Sequence, residues 1–221
     1  MITYPHRVAD VAVLAHRGVA DELGHVGEWL ESRDCRVHRL WREERPSLPS
    51  VDVLVVLGSP GSVASGHVAD WARGEIAMVS EWLDSDRPYL GICFGAQVLA
   101  VAAGGSVTRM DGTRRSHATL ATNSPLAAGR WPVWHEDAIT APDTSDVVAR
   151  LPWADAIFRS GRAWGLQPHV EFTSDIVERL AARIGGNDDS WRQLWTELRD
   201  DEDGLRRRTL ALLDGLDLID R

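Results

Sequence analysis

One short stretch limits the folds open to this chain more than any other. Pro88-Tyr89-Leu90-Gly91-Ile92 is apolar and strand-like, and the segment from Ala96 to Ala103 is compatible with a helix. Between them lies Cys93, with a glycine two residues before it and another two residues after it. Glycine at both places lets a strand turn sharply into a helix, because neither flanking position can carry a Cβ in so tight a turn. The central side chain then stands at the tip of the strand. The first N–H groups of the helix point back at the turn, where they favour a thiolate or donate to an oxyanion. A strand–turn–helix of this kind demands an α/β sheet. Two readings of Cys93 stay open on the turn alone: a nucleophile, or a thiol buried in a structural connection.

Neighbouring stretches supply the sheet. Val8 to Ala15 reads as a first strand, Cys35 to Leu40 as a second, and the β-branched run Val51 to Leu57 as a parallel strand covered on both faces. Helical spacing fills the gaps at Asp21 to Arg33 and Asp70 to Leu83. The alternation implies a doubly wound, mostly parallel sheet of flavodoxin type, with sites gathered at the carboxyl ends of its strands. The turn Gly58-Ser59-Pro60-Gly61-Ser62 and Cys93 follow consecutive strands and so fall at the same edge. After Gly104-Gly105 the pattern changes to short antiparallel strands, Ser106–Met110, Ser116–Ala121, Trp131–Trp134, Asp146–Leu151 and Ala154–Ser160, and the expected fold includes a small antiparallel sheet. A strand then ends at Pro168, and helices follow from about Ser174, near Ser190–Arg199 and at Asp203–Leu216. The simplest division is one domain over 1–221, with a core at about 8–180 and a helical extension at about 181–221. The acidic run Asp200-Asp201-Glu202-Asp203 is expected to form a solvated, helix-capping face.

Composition narrows the class. With 44% hydrophobic and 26% charged residues among 221, the chain is of ordinary globular type. A net charge of −9 argues against nucleic acid or an anionic membrane surface as partner. Two cysteines, Cys35 and Cys93, give neither a disulfide framework nor a zinc-type pair, so no metal or cofactor is expected. The polar stretch Met1 to Asp10 lacks a signal-peptide core and no run has the length to span a bilayer, so the expectation is a cytoplasmic protein.

A thiol nucleophile needs a base, and the base needs a group that fixes its tautomer. His169 has Glu171 two residues on, at a strand end in the same layer. Acyl transfer also needs oxyanion donors; the amide of Phe94 and an N–H of the turn from Gly58 to Gly61 are the candidates.

Taken together, Gly91-Ile92-Cys93-Phe94-Gly95-Ala96-Gln97, Trp134-His135-Glu136-Asp137 and Ala163-Trp164-Gly165-Leu166-Gln167, with Pro168-His169-Val170-Glu171, resemble the class I (triad) glutamine amidotransferase domain. The likeness runs from about Val8 to Thr173 and is strongest toward the glutaminase domain of GMP synthase and its free-standing relatives. It implies that Cys93 attacks the γ-amide of glutamine, that His169 shuttles the proton and that Glu171 orients it. A γ-glutamyl thioester then yields glutamate, with ammonia passed to a partner synthetase subunit. It also implies that Gln97, and backbone groups around Ser59, Gly61 and His135, Glu136 and Asp137, hold the substrate's amino and carboxylate ends. The alternatives are hydrolysis of another γ-glutamyl compound, or a silent partner-binding module.

Three departures from the family pattern stand out. Ser59 replaces the second glycine of the oxyanion turn, where positive φ would strain it. Pro168 precedes the histidine rather than following it. Glu136 brings an extra carboxylate to the expected loop at 135–137.

Overall fold

The computed structural model describes residues 7–184 and 190–219; the first six residues of the polar N-terminal stretch, and 185–189 and 220–221 of the helical extension, lie outside them. The elements in chain order are β1 (Asp10–Ala15), α1 (Gly24–Ser32), β2 (Arg36–Trp41), β3 (Val53–Val56), α2 (Ala72–Asp84), β4 (Tyr89–Ile92) and α3 (Phe94–Ala102). They continue with β5 (Ser106–Thr119), β6 (Ala121–Thr122), β7 (Arg130–Thr140), β8 (Asp146–Leu151), β9 (Ala154–Ser160), β10 (Ala163–Leu166), α4 (Ser174–Ile184), α5 (Ser190–Asp200) and α6 (Glu202–Asp214).

Eight strands form the main sheet in the order β2-β1-β3-β4-β10-β9-β8-β6. The first five are parallel, and their order is the flavodoxin-like one. The β3 and β4 strands are buried at every residue, as expected for strands covered by helices on both sides. The two faces carry separate apolar clusters. One, around Val13, Val55, Leu90 and Ile92, takes in Val26 and Leu30 of α1 together with Leu205, Leu212 and Leu213 of α6. The other, around Leu14, Leu54 and Val56, is covered by Val79 and Trp82 of α2 and Val98 and Leu99 of α3.

The expected small antiparallel sheet is present beside the main one. The separate small sheet holds only β5 and β7, whereas β9, β8 and β6 extend the main sheet. Because β9 pairs with β10, which itself pairs with β4, hydrogen bonding passes without a break from the parallel strands into the antiparallel ones. The two expected strands Ser106–Met110 and Ser116–Ala121 are largely one, β5, which passes a register irregularity between Arg109 and Arg114 where Gly112 takes φ +88°. A bulge reads locally as a turn, which explains the discrepancy. The β7 strand also runs on to Thr140, so the expected loop of His135, Glu136 and Asp137 is strand.

All 24 basic residues are arginine. A guanidinium plane can stack on an indole as an ammonium cannot. Nine of the ten tryptophans have an arginine within 5.8 Å of the ring centre, such as Arg87 over Trp82 at 3.6 Å and Arg115 over Trp134 at 4.2 Å. The tenth, Trp71, packs instead against His16 and Phe94. In the acidic stretch, Asp201 precedes α6 without a side-chain cap; its carboxylate pairs with Arg208, while Glu202 accepts the Ser174 hydroxyl. Asp200 and Asp203 are exposed, and Glu202 and Asp203 stand in the first turn of α6, so part of the stretch is the expected solvated face and part is cross-linked. No helix among the described residues is long and apolar enough to cross a membrane.

Candidate functional site

Sheet register alone brings the candidate residues together. Val56 pairs with Gly91, and Ile92 pairs with Leu166, so β3, β4 and β10 end at one edge. The next residues on each are the turn at 58–61, Cys93, and Gln167 to His169. The turn, Cys93 and His169 open on a cavity of about 330 Å³, a size suited to a small molecule.

Cys93 sits at φ +51°, ψ −105°, a conformation that costs a non-glycine residue about 1–3 kcal/mol. Surrounding contacts enforce it. Its amide donates to the Leu166 carbonyl at 2.7 Å, and the buried Tyr89 hydroxyl donates to the Gly95 carbonyl at 2.8 Å. A Cβ on Gly91 would lie 2.4 Å from the Gly95 oxygen, and one on Gly95 would lie 2.1 Å from the Val56 oxygen. Both glycines are there for close backbone approach.

His169 and Glu171 occupy the turn after β10. Nδ1 of His169 meets Oε1 of Glu171 at 2.6 Å, with both side chains buried. The moved proline has not kept the carboxylate from the ring. Phe172 stacks on the imidazole at 4.0 Å, and the backbone N–H of His169 donates to the Pro132 carbonyl at 2.8 Å. From the helical extension, the Thr209 hydroxyl donates to the Val170 carbonyl at 3.1 Å and holds the same turn from behind.

The site's electrostatics favour a charged imidazole. Burial alone would depress His169, but the Glu171 carboxylate and the Cys93 sulfur together hold it well above its ordinary value of 6.5. The imidazolium is therefore favoured below that raised value and is lost as pH climbs through it. The Trp134 carbonyl lies 3.7 Å from the Cys93 sulfur and 3.4 Å from Nε2 of His169, and the sulfur and the ring line the same cavity.

At the turn, a Cβ on Gly58 would lie 3.2 Å from Cε1 of His169 and 3.9 Å from Cβ of Cys93. Glycine here leaves room for the His169 ring, while the distance to Cys93 is an ordinary contact. Among the described residues, the non-glycine positions with positive φ are Asp34, Arg45, Asp86, Cys93 and Asp217, so Ser59 is unstrained. Its hydroxyl accepts the Gly61 N–H at 3.0 Å. With the Gly61 N–H engaged, the Gly58 and Ser59 amides are the turn's remaining candidate donors. Phe94 opens α3, where the first N–H groups have no carbonyl within the helix to reach, while its side chain is buried against Trp71.

The remaining candidates surround the cavity. Gln97 is buried and lies 3.5 Å from the Gln167 side-chain oxygen. His135 approaches the Asp137 carbonyl through Nδ1 at 2.8 Å. A carbonyl only accepts, so Nδ1 carries the hydrogen and Nε2 is a bare acceptor. Burial pushes His135 down to about 4, so it is neutral at physiological pH. The Asp137 carboxylate faces the Ser62 hydroxyl at 2.5 Å and Arg109 at 2.8 Å, and the half-exposed Glu136 pairs with Arg109 and Thr113. These two carboxylates share the one Arg109 guanidinium, and their other partners are neutral hydroxyls. Residues that sequence reasoning missed are the Trp134 carbonyl, Phe172, Trp71, Arg109 and the buried pair Arg42–Glu75. Among the described residues, no cluster of three or more acidic, histidine or cysteine side chains could hold a metal ion.

The chain matches the family described as glutamine amidotransferase class-I over residues 20–150, a span that contains Cys93 and ends before His169. It is 30% identical over 179 residues to the glutamine-hydrolyzing GMP synthase of Mycobacterium leprae (strain Br4923), covering 73% of this chain and 34% of that protein. It is 29% identical over 164 residues to the imidazole glycerol phosphate synthase subunit HisH of Synechococcus sp. (strain CC9605), covering 62% of this chain and 76% of the subunit. It spans about a third of the length of the GMP synthases it matches. A glutamine amidotransferase structure from Thermotoga maritima shares the fold with a TM-score of 0.80 at 21% identity, covering 96% of this chain and 99% of that one. The matched span is more than half of the sequence, and the fold is that of the family's structures: this chain belongs to the class-I glutamine amidotransferases.

Proposed function

We propose that the chain hydrolyses the γ-amide of glutamine through a γ-glutamyl thioester on Cys93, releasing glutamate and passing ammonia to a separate synthetase subunit. The observation that carries this reading is the shared cavity: a Cys93 turn of constrained geometry, a His169–Glu171 pair at 2.6 Å, and the turn at 58–61 against both. Cys93 attacks the amide carbon. His169, already carrying the proton, delivers it to the departing ammonia and then draws a proton from the water that attacks the thioester. Glu171 holds the imidazole in register and stabilises its charge. The Ser59 and Phe94 amides take the oxyanion. Gln97 and backbone groups around Ser59, Gly61 and His135 to Asp137 hold the substrate's amino and carboxylate ends. That one relative is named as a synthase subunit supports the partner reading, and a reducing cytoplasm suits a catalytic thiol.

The direct test is glutamate and ammonia release from glutamine by the purified chain beside Cys93→Ala. A second reading draws on the cavity's apolar wall of Phe172, Ile176, Leu180 and Ile184, which leaves room beside the reacting amide for a larger leaving group. In that case a panel of γ-glutamyl amides would be hydrolysed faster than glutamine. Release from no member of the panel would refute both readings.

A pH profile adds a prediction. Because Glu171 and Cys93 raise His169, kcat/KM should persist well above 6.5 and fall only when the imidazolium deprotonates. In Glu171→Gln the alkaline limb should move toward neutrality, with kcat down by about 10²–10⁴-fold. An unmoved limb would detach the carboxylate from the titration.

A further inference from the structure

Arg42 is buried, and so is Glu75 on α2. Their side chains meet through a fork: Nε lies 2.9 Å from Oε2 and Nη2 lies 3.1 Å from Oε1. The guanidinium's other donors go to backbone just past β3. Nη2 donates to the Leu57 carbonyl at 2.7 Å, and Nη1 to the Gly58 carbonyl at 2.9 Å. Its plane sits 5.0 Å over the Phe94 ring, next to the start of α3. An ion pair this deeply buried adds little stability compared with an apolar pair of similar size, which leaves its placement to be explained.

The carbonyl it holds supplies the explanation. In a trans peptide the C=O and the following N–H point in opposite directions. Fixing the Gly58 oxygen on Arg42 therefore aims the Ser59 N–H away from Arg42, and Ser59 lines the same cavity as Cys93. Leu57 is clamped likewise, its N–H to the Leu14 carbonyl at 3.0 Å and its own carbonyl to Arg42. We infer that Arg42, locked by Glu75, is a positioning residue for acyl transfer: it fixes the Gly58–Ser59 peptide so that the Ser59 N–H receives the oxyanion. This rests on the thioester reading above and adds to it a group that never touches substrate. No proton moves through Arg42.

The test compares wild type with Arg42→Lys and the double variant Arg42→Met/Glu75→Met, using the best γ-glutamyl amide of the panel. Replacing both partners by apolar side chains leaves no buried charge unpaired, so the double variant should fold. Its kcat should fall about 10–10³-fold, as for loss of one oxyanion donor, with KM within about threefold. The rate at which iodoacetamide alkylates Cys93, a reaction that needs no oxyanion hole, should stay within about twofold of wild type. Arg42→Lys keeps the cation but not the fork, should show the same split more weakly, and carries the measurement if the double variant does not fold. A double variant with wild-type kcat would overturn the inference, as would kcat and alkylation falling together, which marks general damage. Wild type that releases glutamate from no γ-glutamyl amide would remove the thioester reading and this inference with it. Turnover in wild type with no split in the variants would remove the inference alone.

Discussion

Cys93→Ala is expected to lower amide hydrolysis by roughly 10⁵–10⁶-fold, the scale seen when a nucleophile is removed from a three-residue catalytic unit. The loss should be chemical rather than structural. Cys93 makes its fold-defining contacts through the backbone, with its amide on the Leu166 carbonyl, and an alanine there keeps them. Alanine also keeps the strained φ of +51°, which glycine would relieve. Cys93→Gly should therefore be equally inactive but more stable than Cys93→Ala by about 1 kcal/mol, readable in chemical denaturation. If the two variants were equally stable, the backbone at 93 would not be strained in solution. If Cys93→Ala retained turnover within tenfold of wild type, the thiol would not be the nucleophile.

The second large effect is on folding. In Gly95→Ala the new Cβ would fall 2.1 Å from the Val56 oxygen and 3.0 Å from the Val56 Cβ. Neither contact can be relieved by a rotamer change, because one is backbone and the other is the root of a fully buried side chain at the end of β3. Relief would require α3 to move off the sheet, opening the packing of Val98 and Leu99 against Leu54 and Val56. The variant should lose at least about 4 kcal/mol of stability, at the far end of single-substitution effects, and accumulate as insoluble protein. Gly66→Ala is the control: Gly66 has a positive φ of +79° but nothing within 4 Å of its missing Cβ. It should cost only about 1 kcal/mol. A soluble Gly95→Ala with wild-type melting would mean that α3 does not pack on β3 this closely.

What could be read from the chain in advance was what is local. The flanking glycines around Cys93, the run of branched residues before Gly58 and the two-residue spacing of His169 and Glu171 all carry their meaning within a few residues. Parallel pairing then aligned them, as the strand–helix alternation implied. The rest depends on contacts that no local pattern encodes. The Trp134 carbonyl reaches Cys93 across 41 residues of chain, and Arg42 reaches Glu75 across 33. His135, Glu136 and Asp137 looked like a loop because they are polar. They lie in β7 because His135 and Asp137 are buried with partners inside the protein, leaving Glu136 to face outward. Likewise Asp111-Gly112 reads as a turn, whereas the longer pairing of β5 with β7 carries it through as an irregularity. The concern over Ser59 came from a family habit, and the backbone here removes it, with the Ser59 hydroxyl holding the Gly61 amide.

The central claim is that Cys93 takes up the γ-glutamyl group. It is tested most directly by mixing the chain with glutamine, or with whichever γ-glutamyl amide it turns over best, quenching in acid at short times and measuring intact mass followed by peptide mapping. The account predicts a transient mass increase of one γ-glutamyl group, located on the peptide that carries Cys93. It should be absent in Cys93→Ala, and sensitive to hydroxylamine as a thioester must be. Release of glutamate with no adduct on Cys93 at any time, or with an adduct on another residue, would contradict it.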